Sequence, residues 1–216
     1  MNLAMRVMSL GPLDNNVFIL ADEDSQDCVI IDPSFEPERQ LEAIKGQGWM
    51  LRQIWLTHGH YDHTAGAKQI SEAFNPPLPI AMHPDCFTWA SAEPKVVKFG
   101  VNIEPVPRVD TPLAQGARLP ITPGSEQKPV EVRDVSGHNP GSVLFYIAEL
   151  KMAVVGDAIF RESIGRTDFP GSDHALLLKN IREQIYTLPD DTILLPGHGP
   201  STTVGHEKEH NPYVRG

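Results

Sequence analysis

The segment Thr57-His58-Gly59-His60-Tyr61-Asp62-His63 places three imidazoles and a carboxylate within six consecutive positions, directly after the apolar run Ile54-Trp55-Leu56. Neutral imidazole and carboxylate suit borderline or fairly hard divalent metals, whereas a soft-metal site calls for thiolates. So short a peptide does not easily wrap all four groups round one ion. In extended backbone at a strand mouth, His58 and His60 can face one way, and Asp62 and His63 another as the chain turns. The spacing predicts two adjacent metal positions, with the remaining ligands supplied from elsewhere in the chain.

Three later residues share one context. His138 lies in the turn Ser136-Gly137-His138-Asn139-Pro140-Gly141-Ser142, Asp157 follows Gly156, and His198 lies in Pro196-Gly197-His198-Gly199. Each comes just after an apolar, strand-like run. Glycine turns let a short side chain point back over a sheet edge, and converging strand ends are where α/β architectures build sites. With the first motif these make seven groups, enough for two metals sharing a bridging carboxylate. His174, His206 and His210 fall on expected helices or the tail and are read as solvated. His83 is read as structural, because it stands alone beside a proline. Cys28 is read as a buried small hydrophobe, and Cys86 as buried or placed behind the ligands rather than as ligand or nucleophile, in a chain without a disulfide framework.

The elements that must position these groups follow from periodicity and turn signals. Strands are expected at residues 4–10, 17–21, 28–31, 80–82, 130–135, 143–147, 151–155 and 192–195, with one more ending at Leu56. Helices are expected over 36–45, 64–74, 173–187 and 203–209, with a short helix or turn over 83–90. Residues 91–129 read as a connection over one face with a short strand at 117–121. No repeat or linker divides residues 1–216, which predicts a single domain of α/β (α+β) class, with two sheets packed face to face and helices outside.

Composition narrows the function. With 216 residues, 40% apolar and 21% charged, the chain is long enough for a well-buried core. A formal charge of -10 and no Lys/Arg cluster argue against nucleic acid. The apolar part of residues 1–11 is too short for a signal peptide or a membrane span, so a cytoplasmic protein is expected.

The ordered set HxHxDH, Gly-His-x-Pro-Gly-Ser, Gly-Asp and Pro-Gly-His-Gly resembles the metallo-β-lactamase superfamily over nearly the whole chain. The runs Ile164-Gly165-Arg166-Thr167-Asp168-Phe169-Pro170-Gly171 and Gly197-His198-Gly199-Pro200-Ser201-Thr202-Thr203 are similar to the short, glyoxalase II-like (hydroxyacylglutathione hydrolase-like) enzymes. The resemblance implies an αββα four-layer sandwich. It implies that His58, His60 and His138 hold one metal, that Asp62, His63 and His198 hold the other, and that Asp157 bridges them. Asn139 stands where Thr is usual, and Ser136 where Pro or Thr is frequent; neither is a ligand.

Two ions about 3.5–4 Å apart lower the pKa of a shared water toward about 7, so hydroxide, oriented by Asp62 and Asp157, serves as nucleophile. A thioester suits such a site, because a thiol of pKa about 8.5 leaves without a strong acid. The resemblance implies hydrolysis of S-D-lactoylglutathione or a similar thioester, with two divalent ions, zinc before iron or manganese. Arg166 stands where such enzymes carry a basic glutathione contact, and its competing role is a salt bridge with Asp168. Arg161 and Lys179 are weaker candidates of the same kind. Pro200 replaces a tyrosine of the family, and no C-terminal helical glutathione-binding domain is expected after Gly216. The alternatives are a persulfide dioxygenase with one iron on His58, His138 and Asp157, and a lactonase or β-lactamase.

Overall fold

The computed structural model describes residues 1–92 and 96–216. Its first half lays down β1 (Leu3–Leu10), β2 (Asn15–Asp22), β3 (Asp27–Ile31), α1 (Pro37–Gly46), β4 (Met50–Trp55), α2 (Tyr61–Thr64), α3 (Ala67–Glu72), β5 (Ile80–Met82) and α4 (Pro84–Ala92). A hairpin of β6 (Val96–Lys98) and β7 (Val101–Ile103) follows, then β8 (Thr111–Pro112). Strands β1-β2-β3-β4-β5-β8 form one sheet in that order, antiparallel from β1 to β3 and parallel from β3 to β8.

The second half forms β9 (Arg118–Leu119), β10 (Val130–Asp134), β11 (Val143–Ile147), β12 (Met152–Gly156), the small hairpin β13 (Ile159–Phe160) and β14 (Ser163–Ile164), α5 (His174–Asn180), β15 (Ile193–Pro196), β16 (Thr202–Thr203) and α6 (Val204–His210). The second sheet runs β16-β15-β12-β11-β10-β9.

Strand alternation explains the layers. On β2, Phe18 and Leu20 face the second sheet, while Val17, Ile19 and Ala21 face the helices outside; on β3, Val29 and Ile31 oppose Cys28 and Ile30 in the same way. Both faces are buried, so these strands read in the sequence as continuous apolar runs. Between the sheets Trp55 meets Phe145, ring centroids 5.4 Å apart, in a layer completed by Val132, Val143 and Val154. Outside the second sheet, Leu177, Ile181 and Ile185 cover Leu144, Ala153 and Leu194. The result is the expected αββα sandwich.

Several elements differ in detail from the sequence expectation. Of the helix expected over 64–74, only Ala67–Glu72 forms as α3, and Thr64 ends the separate short helix α2. The Gly66 N–H leaves the helical ladder for the Pro33 carbonyl at 2.8 Å, and a Cβ there would lie 2.5 Å from the Ser34 carbonyl oxygen. The helix expected over 173–187 starts on its Asp173 cap, whose carboxylate accepts the Leu176 N–H, and widens into a π turn over Ile181–Ile185. Of the expected strand at 117–121 only Arg118–Leu119 pairs, and residues 93–95 of the expected connection lie outside the described residues. His174 and His210 are exposed, as expected, whereas His206 is half-buried and pairs with Glu162 at 3.0 Å. Among the described residues no helix is long and apolar enough to cross a membrane.

Candidate metal centre

All seven sequence candidates meet at one edge of the sandwich. β4 ends at Trp55, and the next turn carries His58 and His60 before α2 brings in Asp62 and His63. His138 comes from the turn between β10 and β11, held by Ser172 Oγ donating to its carbonyl at 2.7 Å. Asp157 follows β12, and His198 follows β15. Gly197 is required by the space beside it, because a Cβ there would lie 2.4 Å from both Asp157 Oδ1 and His63 Cε1.

The first group is made of His58 Nε2, His60 Nδ1 and His138 Nε2, with the His60 nitrogen 3.0 Å from His58 and 2.9 Å from His138. Contacts on the far side of the rings assign the protons. His138 Nδ1 donates to the Arg166 carbonyl at 2.8 Å. The Thr57 hydroxyl donates to Asp32 at 2.5 Å, so its oxygen accepts from His58 Nδ1 at 3.0 Å. His58 and His138 therefore both present lone pairs to His60, whose nitrogen has at most one proton to offer. One cation at their common centre satisfies all three, which the hydrogen bonds alone do not.

The second group is Asp62, His63 and His198. His198 Nε2 lies 3.1 Å from Asp62 Oδ2, while its Nδ1 donates to the Leu13 carbonyl at 3.0 Å. His63 Nδ1 donates to Asp32 at 2.9 Å, which directs Nε2 inward. That nitrogen and Asp157 Oδ1 are buried without hydrogen-bond partners, 3.4 Å apart. Orphaned buried groups of this kind are rare, and their donor atoms fit a cation held between them. Asp157 joins the groups, with Oδ2 at 3.7 Å from both His138 Nε2 and His198 Nε2. A third possible grouping, Asp32 with His58 and His63, is better explained by hydrogen bonds. Both Asp32 oxygens are taken, Oδ1 by the Thr57 N–H at 2.7 Å and Oδ2 by the Thr57 hydroxyl and His63.

The electrostatics of the groups differ. Burial pushes His58, His60 and His138 below the ordinary imidazole value, His60 to about 3. Burial acts the same way on His63 and His198 but is outweighed. The Asp157 and Asp62 carboxylates hold His63 well above the usual value, and the Asp62 hydrogen bond with the Asp157 charge holds His198 above it. In return, His63 outweighs the burial of Asp62 and Asp157 and keeps both below the usual carboxylate range.

Sequence reasoning missed the residues that orient these side chains. Asp32 serves both His58, through Thr57, and His63. It follows the apolar strand β3 directly, as Asp157 follows β12, but it lacks the preceding glycine that singled out Asp157. Asn16 donates from Nδ2 to the Pro196 and Gly199 carbonyls, both at 2.9 Å, and so clamps the His198 loop across the two sheets. Asn139 Oδ1 accepts the Gly59 N–H at 3.2 Å and the Cys86 thiol at 3.0 Å, linking the His138 turn to the first motif. Both cysteines are buried.

A cavity of about 710 Å³ opens over both groups, walled by Leu13, Trp89, Phe160, Ile164 and Phe169 among others. The Trp89 indole donates to the Pro170 carbonyl at 2.9 Å, tying α4 to the loop opposite and bringing its ring near His60. Arg166 lines this cavity, but its guanidinium is forked onto Asp168 at 2.9 and 2.7 Å and lies over the Phe169 ring at 4.5 Å. Its backbone carbonyl, through His138, does more for the metal centre than its charge does. Arg161 lines a separate shallow cleft, and Lys179 faces Glu183 at 3.9 Å on its own helix.

A model of the metallo-beta-lactamase superfamily matches residues 10–198, a span that contains all seven groups. The chain belongs to the metallo-beta-lactamase superfamily. It is 34% identical over 198 residues to the hydroxyacylglutathione hydrolase GloC of Haemophilus influenzae, with 89% of each chain covered. It also matches the BLEG-1 B3 metallo-beta-lactamase, with a TM-score of 0.86 and 32% identity over 99% of this chain and 100% of that one. TTHA1623, solved in a di-iron-bound form, matches at a TM-score of 0.83 and 33% identity, over 97% of this chain and 100% of that one. The chain is a metallo-hydrolase of this superfamily with His/Asp clusters built to bind metal.

Proposed function

We propose that this metallo-hydrolase binds two divalent ions and hydrolyses thioesters, with S-D-lactoylglutathione as the type substrate. His58, His60 and His138 hold one ion, Asp62, His63 and His198 the other, and Asp157 reaches both. The observation that carries the reading is the Asp157 carboxylate, within 3.7 Å of nitrogens from both groups. The likenesses to GloC and to a di-iron protein support it. When bound, the ions supply Lewis acidity and ionise water at neutral pH, which removes the need for a side-chain nucleophile. The donor set is imidazole and carboxylate, which accommodates zinc, iron or manganese, and zinc is the first choice.

The chain's own residues do the rest. Asp32, Thr57, Leu13 and Arg166 hold four imidazoles in the tautomer that presents a lone pair inward. Asp62 and Asp157 keep negative charge in the centre and orient the attacking water. Leu13, Phe160 and Phe169 make an apolar wall that excludes bulk water from the acyl group. A leaving thiol of pKa about 8.5 departs as thiolate, so no separate proton donor is needed. Arg166 sits at the cavity rim as an outer contact for substrate, weakened by its pairing with Asp168.

Steady-state release of free thiol from S-D-lactoylglutathione by zinc-loaded protein tests this reading, with nitrocefin hydrolysis and oxygen uptake on glutathione persulfide run beside it. Thiol release that collapses in His198→Ala is the expected result. Oxygen uptake with no thiol release contradicts it in favour of a one-iron dioxygenase. Ring opening of nitrocefin alone makes the chain a β-lactamase like BLEG-1.

A further inference from the structure

The cavity has two Lys/Arg side chains among its described lining residues, Arg166 and Lys98. They are not equivalent. Arg166 is neutralised by its two-bond fork onto Asp168. Lys98 is exposed, and among the described residues its ammonium faces only the Tyr61 ring, 5.7 Å from the centroid, with no carboxylate paired to it. Tyr61 opens α2, between the ligands His60 and Asp62, so the contact brings the Lys98 charge to the wall beside the metal centre.

The backbone holds Lys98 there. It is the last residue of β6, paired with Val101 across a two-residue turn. Both turn residues have positive φ, Phe99 at 52° and Gly100 at 77°, which is the type I′ pattern that matches strand twist. A bulky residue in that region is uncommon. Phe99 has an edge-to-face partner in Phe35, centroids 6.5 Å apart, which ties the hairpin tip to the loop after β3. A strained aromatic corner thus fixes Lys98, the cavity cation that pairs with no carboxylate among the described residues.

The charge of this cation has a use. The chain carries a formal charge of -10, so its overall field repels an anionic substrate, and attraction must be local. Glu104 also lines this cavity, where Lys68 pairs with it at 3.4 Å. We propose that Lys98 is a specificity-determining residue that anchors a carboxylate on the thiol half of the substrate, and so selects thioesters of an acidic, glutathione-like thiol over those of neutral thiols. This inference rests on the thioesterase reading, because it assigns one half of that substrate.

The test compares zinc-loaded wild type, Lys98→Gln and Lys98→Arg on two lactoyl thioesters, one of glutathione and one of uncharged N-acetylcysteamine. Loss of one charge-assisted contact is expected to raise KM for the glutathione thioester about tenfold in Lys98→Gln, with kcat largely kept. Lys98→Arg restores most of the affinity, and KM for the neutral thioester shifts far less. An equal change on both substrates, or no change on either, overturns the proposal. Calorimetric binding of S-methylglutathione, which has the carboxylates but no thioester, separates this proposal from the function it rests on. If no thioester is turned over, the thioesterase reading falls. Binding weakened about tenfold by Lys98→Gln then still supports the anchor. Unchanged binding, or none by wild type, overturns it.

Discussion

The His58–His60–His138 group and the Asp62–His63–His198 group share Asp157 but stand differently toward protons. In the first, burial and mutual imidazole repulsion favour neutral rings, so the lone pairs are free before any metal arrives. In the second, carboxylates hold His63 and His198 protonated above their ordinary range. The first group is preorganised for a cation, while the second must exchange protons for one. Built from similar residues, the two groups are set apart by where the carboxylates lie.

Substitution of the shared ligand erases the distinction and has the largest expected effect. Asp157→Ala is expected to lower kcat/KM by roughly three orders of magnitude or more, since the two proposed ions would lose a common ligand and several kcal/mol of transition-state stabilisation with it. Residual activity within tenfold of wild type would contradict the shared role. Next come single-group substitutions. In metal analysis after dialysis, His198→Ala is expected to keep one ion per chain, bound by the three-histidine group. His58→Ala is expected to weaken that group and leave the carboxylate-bearing one. Loss of both ions from His198→Ala would mean that the groups do not bind independently.

Asp32→Asn sharpens the comparison, because Asp32 touches neither proposed ion yet supports one histidine in each group. A loss of about 10–100-fold in metal affinity or activity is expected, typical for a residue that orients ligands. Equal weakening of both ions fits its two contacts, whereas weakening of one alone shows that its other contact is dispensable. The smallest effect is in protons. His63 and His198, with raised pKa values, keep their protons to higher pH than an ordinary imidazole and must release them to bind metal, so affinity for the second ion rises with pH until both rings are neutral. The rings with lowered values give up their protons at lower pH. Calorimetry in buffers of different ionisation enthalpy should show more proton release with the second ion than with the first at the same pH, and equal release would abolish the distinction.

The clustering of the seven candidate groups was legible in the sequence because metal chemistry would demand scarce residue types beside glycines at strand ends. His138, Asp157 and His198 shared that context and all reached the centre. The layers were legible from two clusters of strands, each followed by helices, and from runs such as Val17-Phe18-Ile19-Leu20, apolar throughout, which require two buried faces. The supporting residues were harder to see. Asn16 holds a loop 180 residues away, and Asp32 acts 25 residues along the chain, through a threonine hydroxyl that could equally have faced solvent. The break at Gly66 depended on a neighbouring carbonyl, and the Lys98 hairpin on a phenylalanine in a backbone region it seldom adopts. Such features arise from tertiary contacts that no local pattern encodes.

Titration of zinc into metal-stripped protein, with S-D-lactoylglutathione turnover recorded at each addition, tests the two-ion claim most directly. Turnover is expected to keep rising through the second equivalent of metal and to level off at two per chain. Full activity reached at one equivalent, with no further gain, would contradict it.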